Sequence, residues 1–318
     1  MEAKHIKYQA QFSFAKPQQT LGLGSRLILL TLIFISPTLF AQYPSGQSDW
    51  LTIFNGKDLT GWDIKISGHA LNDNYKNTFQ VEDGMLRIRY DQYQQFDEKY
   101  GHLYYKTPYS YYRIRFDYRF VGKQTPGGAE WNVRNSGIML HSQSAQSLDY
   151  DQTFPMSLEM QLLGGLGTGD RPTGNLCSPG TQAFMQGSLN PAHCINSDSQ
   201  TYDGDQWVSA EAIVLGDSVV HHVIEGDTVL TYTKTQIGGG FVTETDWSLA
   251  KMDLKTVEYW KKLDGTALSS GYIALQAESH PIDFKNIQLL NLVGCTNPKA
   301  LNYKSYYVKS DNSTCQFK

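Results

Sequence analysis

From residue 50 onward, apolar and polar residues alternate in short runs, and Gly, Asn, Asp or Pro separates one run from the next. MLRIRY (85–90), YYRIRFDYRFV (111–121), SGIMLH (136–141), MSLEMQLL (156–163) and WVSAEAIVL (207–215) follow this pattern. So do SVVHHVI (218–224), TVLTYT (228–233), GYIALQA (271–277) and IDFKNIQLLNL (282–292). Their period of two and their β-branched or aromatic content mark strands. Many short strands with turn signals between them predict an all-β fold, an antiparallel two-sheet sandwich or jelly roll. LGDSV and IEGDTV set Gly-Asp and Glu-Gly-Asp between runs that can pair, which predicts hairpins. One stretch, DWSLAKMDLKTVEYWKKL (246–263), has a loose 3.6 period and predicts a helical excursion from the sheets.

Two segments break the pattern. Residues 164–202 are rich in Gly, Pro, Asn and Ser without periodicity, and a loop of that length in a compact domain is expected to form the wall of a binding site. After Leu292 the alternation stops, and 294–318 reads as a small tail with its own cysteine pair. At the other end, Arg26 precedes LILLTLIFISPTLFAQ, an apolar run of signal-peptide length ending at Ala41. Residues 1–41 therefore read as an export signal and 42–293 as the main domain. The long polar lead, and Leu39 two residues before the cut, also fit a misplaced start site or an uncleaved anchor.

Composition narrows the function classes. The chain has 318 residues, 40% of them apolar, enough for one substantial core. A formal charge of −4 supplies no basic field for nucleic acid. Tyrosine is abundant, with 20 residues, and rings with an apolar body and a polar tip suit surfaces that meet sugars. In an exported protein four cysteines read as disulfides. Proximity favours Cys177 with Cys194 and Cys295 with Cys315, although three connectivities remain open. Each pairing closes a loop worth about 3 kcal/mol on the chain-entropy model. A zinc site is disfavoured: no CxxC pair occurs, and the one nearby histidine is His193.

Several stretches together resemble one family. IFNGKDLTGW, NSGIML, LEMQ, GDRPTGNLCSPGT, HCINSDSQTYDGDQWV and GYIALQAESHPIDFKNIQL are similar, in that order, to the secreted 3-keto-disaccharide hydrolases. The resemblance covers roughly residues 50–292 and implies a concanavalin A-like jelly roll whose concave face receives a sugar or oligosaccharide already oxidised at C3. A ketone at C3 acidifies the C2 proton, so a base can remove it and the C1 substituent can leave, after which water adds. The tail resembles GCTDP…DDGSC modules at the ends of secreted Bacteroidetes-type proteins, which suggests association with the cell surface. Asn297 and Asn312 stand at its usual acidic positions.

Candidate residues follow from strand parity. Glu159 and Gln161 share one face of their strand. Retaining glucanases of this architecture carry E-x-D-x-E there, and this chain lacks the further carboxylates, so double displacement is disfavoured. His141 is expected on the face opposite Ile138 and Leu140, sharing the groove with Glu159. Gln276, Glu278 and His280 alternate and are expected to face one way, with Pro281 a warning of irregularity. Glu159, His141 and His280 are thus the expected acid/base group. Gln161, Gln276, Glu278, Arg171, Asp170, Asn175, Trp131 and His222 are the expected sugar contacts, His222 being as readily a packing residue and Trp131 as readily core. Scattered carboxylates leave room for a divalent cation, but no EF-hand spacing appears and no motif in the sequence assigns a cofactor. The rival reading is a non-catalytic glycan-binding module on the same fold.

Overall fold

The computed structural model describes residues 49–240, 247 and 250–318. The export signal expected at 1–41 lies outside the described residues, as does part of the expected helical stretch.

Two antiparallel sheets make up the body. In spatial order the first has β12 (Cys194–Ile195), β9 (Asn175–Cys177), β8 (Leu158–Leu163), β7 (Asn135–Ser142), β16 (Gly271–Ala277), β5 (Gly101–Tyr109) and β2 (Trp62–Ile66), numbered by chain position. The second runs β11 (Ser188–Asn190), β10 (Thr181–Met185), β15 (Asp227–Ile237), β14 (Val219–Ile224), β13 (Val208–Leu215), β6 (Tyr111–Phe120), β17 (Ile282–Asn291), β4 (Met85–Ile88) and β3 (Phe79–Glu82), with β1 (Leu51–Thr52) also on β17. This is the expected jelly-roll sandwich. Strand alternation builds its core: Tyr112, Ile114, Phe116, Tyr118 and Phe120 of β6 point inward, and between them Arg113, Arg115, Asp117 and Arg119 point out. Leu158, Met160 and Leu162 of β8 meet them from the other sheet.

Departures from the sequence reading have local causes. The stretch 164–202 contains four short strands, because β9 and β12 pair with Cys177 opposite Cys194 and β10 pairs with β15. Such pairing leaves no periodic trace in runs this short. Both expected disulfides form, Cys177–Cys194 and Cys295–Cys315. The helix is α1 (Leu254–Lys262), shorter than expected, with Val257 and Trp260 packed against Trp247 and Ala250. Beyond the two sheets, β18 (Val293–Gly294) and β19 (Lys309–Ser310) pair in parallel. The tail docks where Tyr306 is buried with Trp50, Leu290 and Leu292, and Lys304 Nζ lies 2.8 Å from Asp49.

His141 does not reach the outer face. Its φ of 48° opens a bulge, and the β16–β7 pairing loses register between Tyr272 and Ala274. Gly271 permits that bulge, since a Cβ there would lie 2.4 Å from the His141 carbonyl carbon. A left-handed residue with a Cβ costs about 1–2 kcal/mol. Burying the imidazole between the sheets offsets it: the ring sits 5.8 Å from the Tyr112 ring and its Nε2 is 3.3 Å from the Gly216 carbonyl. His222 is also interior. Its Nδ1 donates to the Gly174 carbonyl at 2.9 Å, and its Nε2 accepts from the Tyr232 hydroxyl at 3.0 Å.

Burial pushes His102 down to about 3 and both His141 and His222 to about 4. A histidine kept neutral in the fold takes up a proton more readily when unfolded, so its stabilisation is complete above about pH 6.5 and is lost as pH falls toward the folded value. His102→Gln should therefore gain on wild type by up to about 3 kcal/mol between pH 6.5 and 4, at about 1.4 kcal/mol per pH unit. Thermal melts across that range test this, and a constant difference in Tm would refute the neutral buried ring.

Candidate active site

Since Leu158, Met160 and Leu162 fill the core, Glu159 and Gln161 lie on the outer face of the seven-stranded sheet. That face is not solvated here: Glu159 is only 7% exposed. Room for its carboxyl comes from the neighbouring strand, where a Cβ on Gly137 would lie 2.3 Å from Glu159 Oε1. Gln161 is held by Asn175, whose Nδ2 donates to its Oε1 at 3.0 Å.

A hollow of about 450 Å³ opens over these residues. Glu159, Gln161, Asn135 and Glu278 form its polar floor. Tyr100, Trp131 and Phe154 line it, as do Pro179, His193 and the Cys177–Cys194 disulfide. Trp131 is 55% exposed, with its ring parallel to that of Tyr100 at 6.2 Å between centroids, an aromatic surface of the kind that sugars stack on. Asn132 Nδ2 donates to the Tyr100 hydroxyl at 3.2 Å.

Glu278 supplies a second carboxyl that β8 lacks. It follows Gln276 by two residues at the end of β16, and its Oε2 has no partner among the protein groups described. Burial pushes Glu159 up to about 8. Burial and the nearby Glu159 together push Glu278 well above the usual carboxylate range, opposed by the Arg171 guanidinium. Both carboxyls are thus pushed toward the protonated form, which suits them to act as acids.

The other expected residues are dispersed. His280 is turned away because Ser279 adopts φ 74°. That kink is held by Ser279 N donating to the Tyr90 hydroxyl at 2.9 Å and by Thr125 N donating to the Ser279 carbonyl at 2.9 Å. His280 instead packs on the Phe120 ring at 5.7 Å and lines a separate, shallower hollow beside Arg134. Gln276 is on the expected strand face but fully buried, with no partner for its amide among the described groups. Arg171 does not line the hollow; it donates to the Arg134 and Gly164 carbonyls. Asn175 acts through Gln161, Asp170 is exposed away from the hollow, and His222 and His141 are interior. Sequence reasoning missed Tyr100, Asn135 and His193 as lining residues. For His193 the signal was its place next to Cys194. Among the described residues no group of three or more His, Cys, Asp or Glu side chains could hold a metal, and no helix is long and apolar enough to cross a membrane.

A two-sheet jelly roll with a polar floor and an aromatic side over one sheet face fits a carbohydrate-active domain, the class that the family match supports. The chain belongs to the family of 3-keto-alpha-glucoside-1,2-lyase-like domains, whose model matches residues 49–290. Among solved structures it is similar to two candidate glycosyl hydrolases from Parabacteroides distasonis. One is 18% identical, with 77% of this chain and 94% of that chain covered and a TM-score of 0.43. The other is 16% identical, with 76% and 98% covered and a TM-score of 0.44. The carbohydrate-binding module CBM66 from Bacillus subtilis is 11% identical, with 73% and 96% covered and a TM-score of 0.40. No curated protein matches the chain. The two disulfides accord with an extracellular or periplasmic protein.

Two outcomes are expected of variants on the floor. A carboxyl whose folded pKa is raised to about 8 stabilises the fold fully below the unfolded value near 4.5, and that stability is lost as pH rises through 8. Glu159→Gln should abolish this share of the alkaline loss, a few kcal/mol at about 1.4 per pKa unit. Urea unfolding at pH 5 and pH 9 measures it, and equal losses in variant and wild type would contradict the buried acid. Gly137→Ala, which crowds the same carboxyl, should cost about 1–3 kcal/mol. An unchanged urea midpoint would show that Glu159 lies elsewhere.

Proposed function

We propose that this protein is an exported enzyme that cleaves the glycosidic bond of 3-keto-glycosides, with Glu159 as the proton donor to the leaving oxygen. Removal of the C2 proton leaves an enolate across C2 and C3. Its collapse breaks the C1–O bond, the departing oxygen takes the Glu159 proton, and water then adds across C1 and C2 of the enone. Glu278, pushed toward its neutral form and with no partner for its Oε2 among the described protein groups, donates a hydrogen bond to the C3 oxygen as charge develops there. Gln161, Asn135 and Trp131 orient the sugar.

The observation that carries this reading is the pair of buried carboxyls that share one hollow of disaccharide size, both pushed toward the neutral form by burial. Ordinary glycoside hydrolysis by double displacement needs one of its two carboxylates ionised as nucleophile, and both members of this pair are pushed toward the neutral form. A second reading, a glycan-binding module, is favoured by the exposed Trp131 ring at the hollow, which would hold a sugar without turnover.

Incubation with a 3-keto disaccharide and with its unoxidised parent separates the readings. Turnover of the oxidised sugar alone is expected; turnover of the parent would indicate ordinary hydrolysis, and binding without turnover a lectin-like module. For the oxidised substrate, kcat/KM should fall as pH rises through about 8, where Glu159 loses its proton. Glu159→Gln should cost about 10²–10⁴-fold, and full activity in that variant would remove Glu159 from the chemistry.

A further inference from the structure

Burial pushes Glu159 and Glu278 toward their protonated forms, which suits them as donors, and the proposed reaction also needs a base within the same hollow. His193 lines the hollow together with both carboxyls. Its position is fixed by strand pairing: Glu159 on β8 lies opposite Cys177 on β9, which lies opposite Cys194 on β12, and His193 immediately precedes Cys194. The Cys177–Cys194 bond and the Ser178 amide, which donates to the His193 carbonyl at 2.9 Å, hold its backbone.

Partial burial lowers the imidazole below its ordinary value, opposed by the Ser178 backbone, so the ring is neutral near pH 7 and one of its nitrogens keeps a lone pair. Among the described histidines, His193 alone lines the hollow that holds both carboxyls, whereas His141 and His222 are sealed between the sheets and His280 belongs to the neighbouring hollow.

We propose that His193 is the general base that takes the C2 proton of the 3-keto sugar, acting across the hollow from Glu278. This deepens the function proposed above and rests on it. In the step, the C2–H bonding pair becomes the C2–C3 double bond of the enolate and the proton passes to the free imidazole nitrogen. The C1–O bond then breaks with the Glu159 proton going to the leaving oxygen, and His193 returns its proton to water.

Exchange at C2 separates the two proton transfers. The disulfide-intact full chain is incubated in D2O with a 3-keto disaccharide, and deuterium at C2 and release of the leaving sugar are followed by NMR. His193→Gln, which keeps a polar side chain of similar size, should lose both exchange and release by at least 100-fold, with the melting temperature unchanged and the KM altered only a few-fold. Added imidazole should restore part of the exchange. Glu159→Gln should keep C2 exchange while losing release. Wild-type exchange in His193→Gln would overturn the assignment of the base yet leave the proposed reaction standing. A wild-type protein that neither exchanges C2 nor releases the sugar would overturn both.

Discussion

Two carboxyl groups kept out of water on one face of a β-sheet are the constraint around which the rest of the site is arranged. A buried carboxylate without a bound cation or donors is costly, and the group escapes that cost by keeping its proton. Glu159 and Glu278 stand close enough that ionising one disfavours ionising the other. Arg171, which does not line the hollow, limits the penalty on Glu278. What the fold supplies is space: Gly137 leaves room over which the Glu159 carboxyl lies.

The same economy explains the two backbone irregularities that flank the site. The bulge at His141 and the kink at Ser279 each place a residue with a Cβ at positive φ, and each is held by packing or hydrogen bonds that are in place before any ligand arrives. Their effect is to remove imidazoles from the floor and leave the carboxyls as its titratable groups. A floor of protonated carboxyls with amide neighbours presents donors to a sugar oxygen on which negative charge develops, whereas charged imidazoles and carboxylates together would have formed ion pairs with each other. The disulfide gives rigidity where strand pairing is weakest, since β12 has two residues and β9 has three.

Chemically, this arrangement differs from that of glucanases on related sandwiches. Their paired carboxylates lie along one strand at alternate positions, so a single sequence motif displays them. Here the two carboxyls come from β8 and the end of β16, with β7 between them, and the aromatic side comes from segments outside both strands. Nothing in one strand's sequence encodes that pairing.

Alternation and turn residues determined the sandwich, because an inward apolar face repeated every second residue has few other ways to be buried. They also determined that Glu159 and Gln161 share a face and that Gln276 and Glu278 share another stretch of it, while spacing only favoured the cysteine pairs that the fold then joins. Parity carries only as far as the backbone stays regular. A single residue at positive φ reverses every side chain beyond it, so His141 and His280 left the site at positions where the sequence still read as strand. Tertiary structure alone brought Glu278 to Glu159, set Tyr100 beside Trp131 and carried His193 to the hollow. Those contacts join segments far apart in the chain, and the energies that decide them, desolvation and the close approach at Gly137 and Gly271, exist only once the strands have paired.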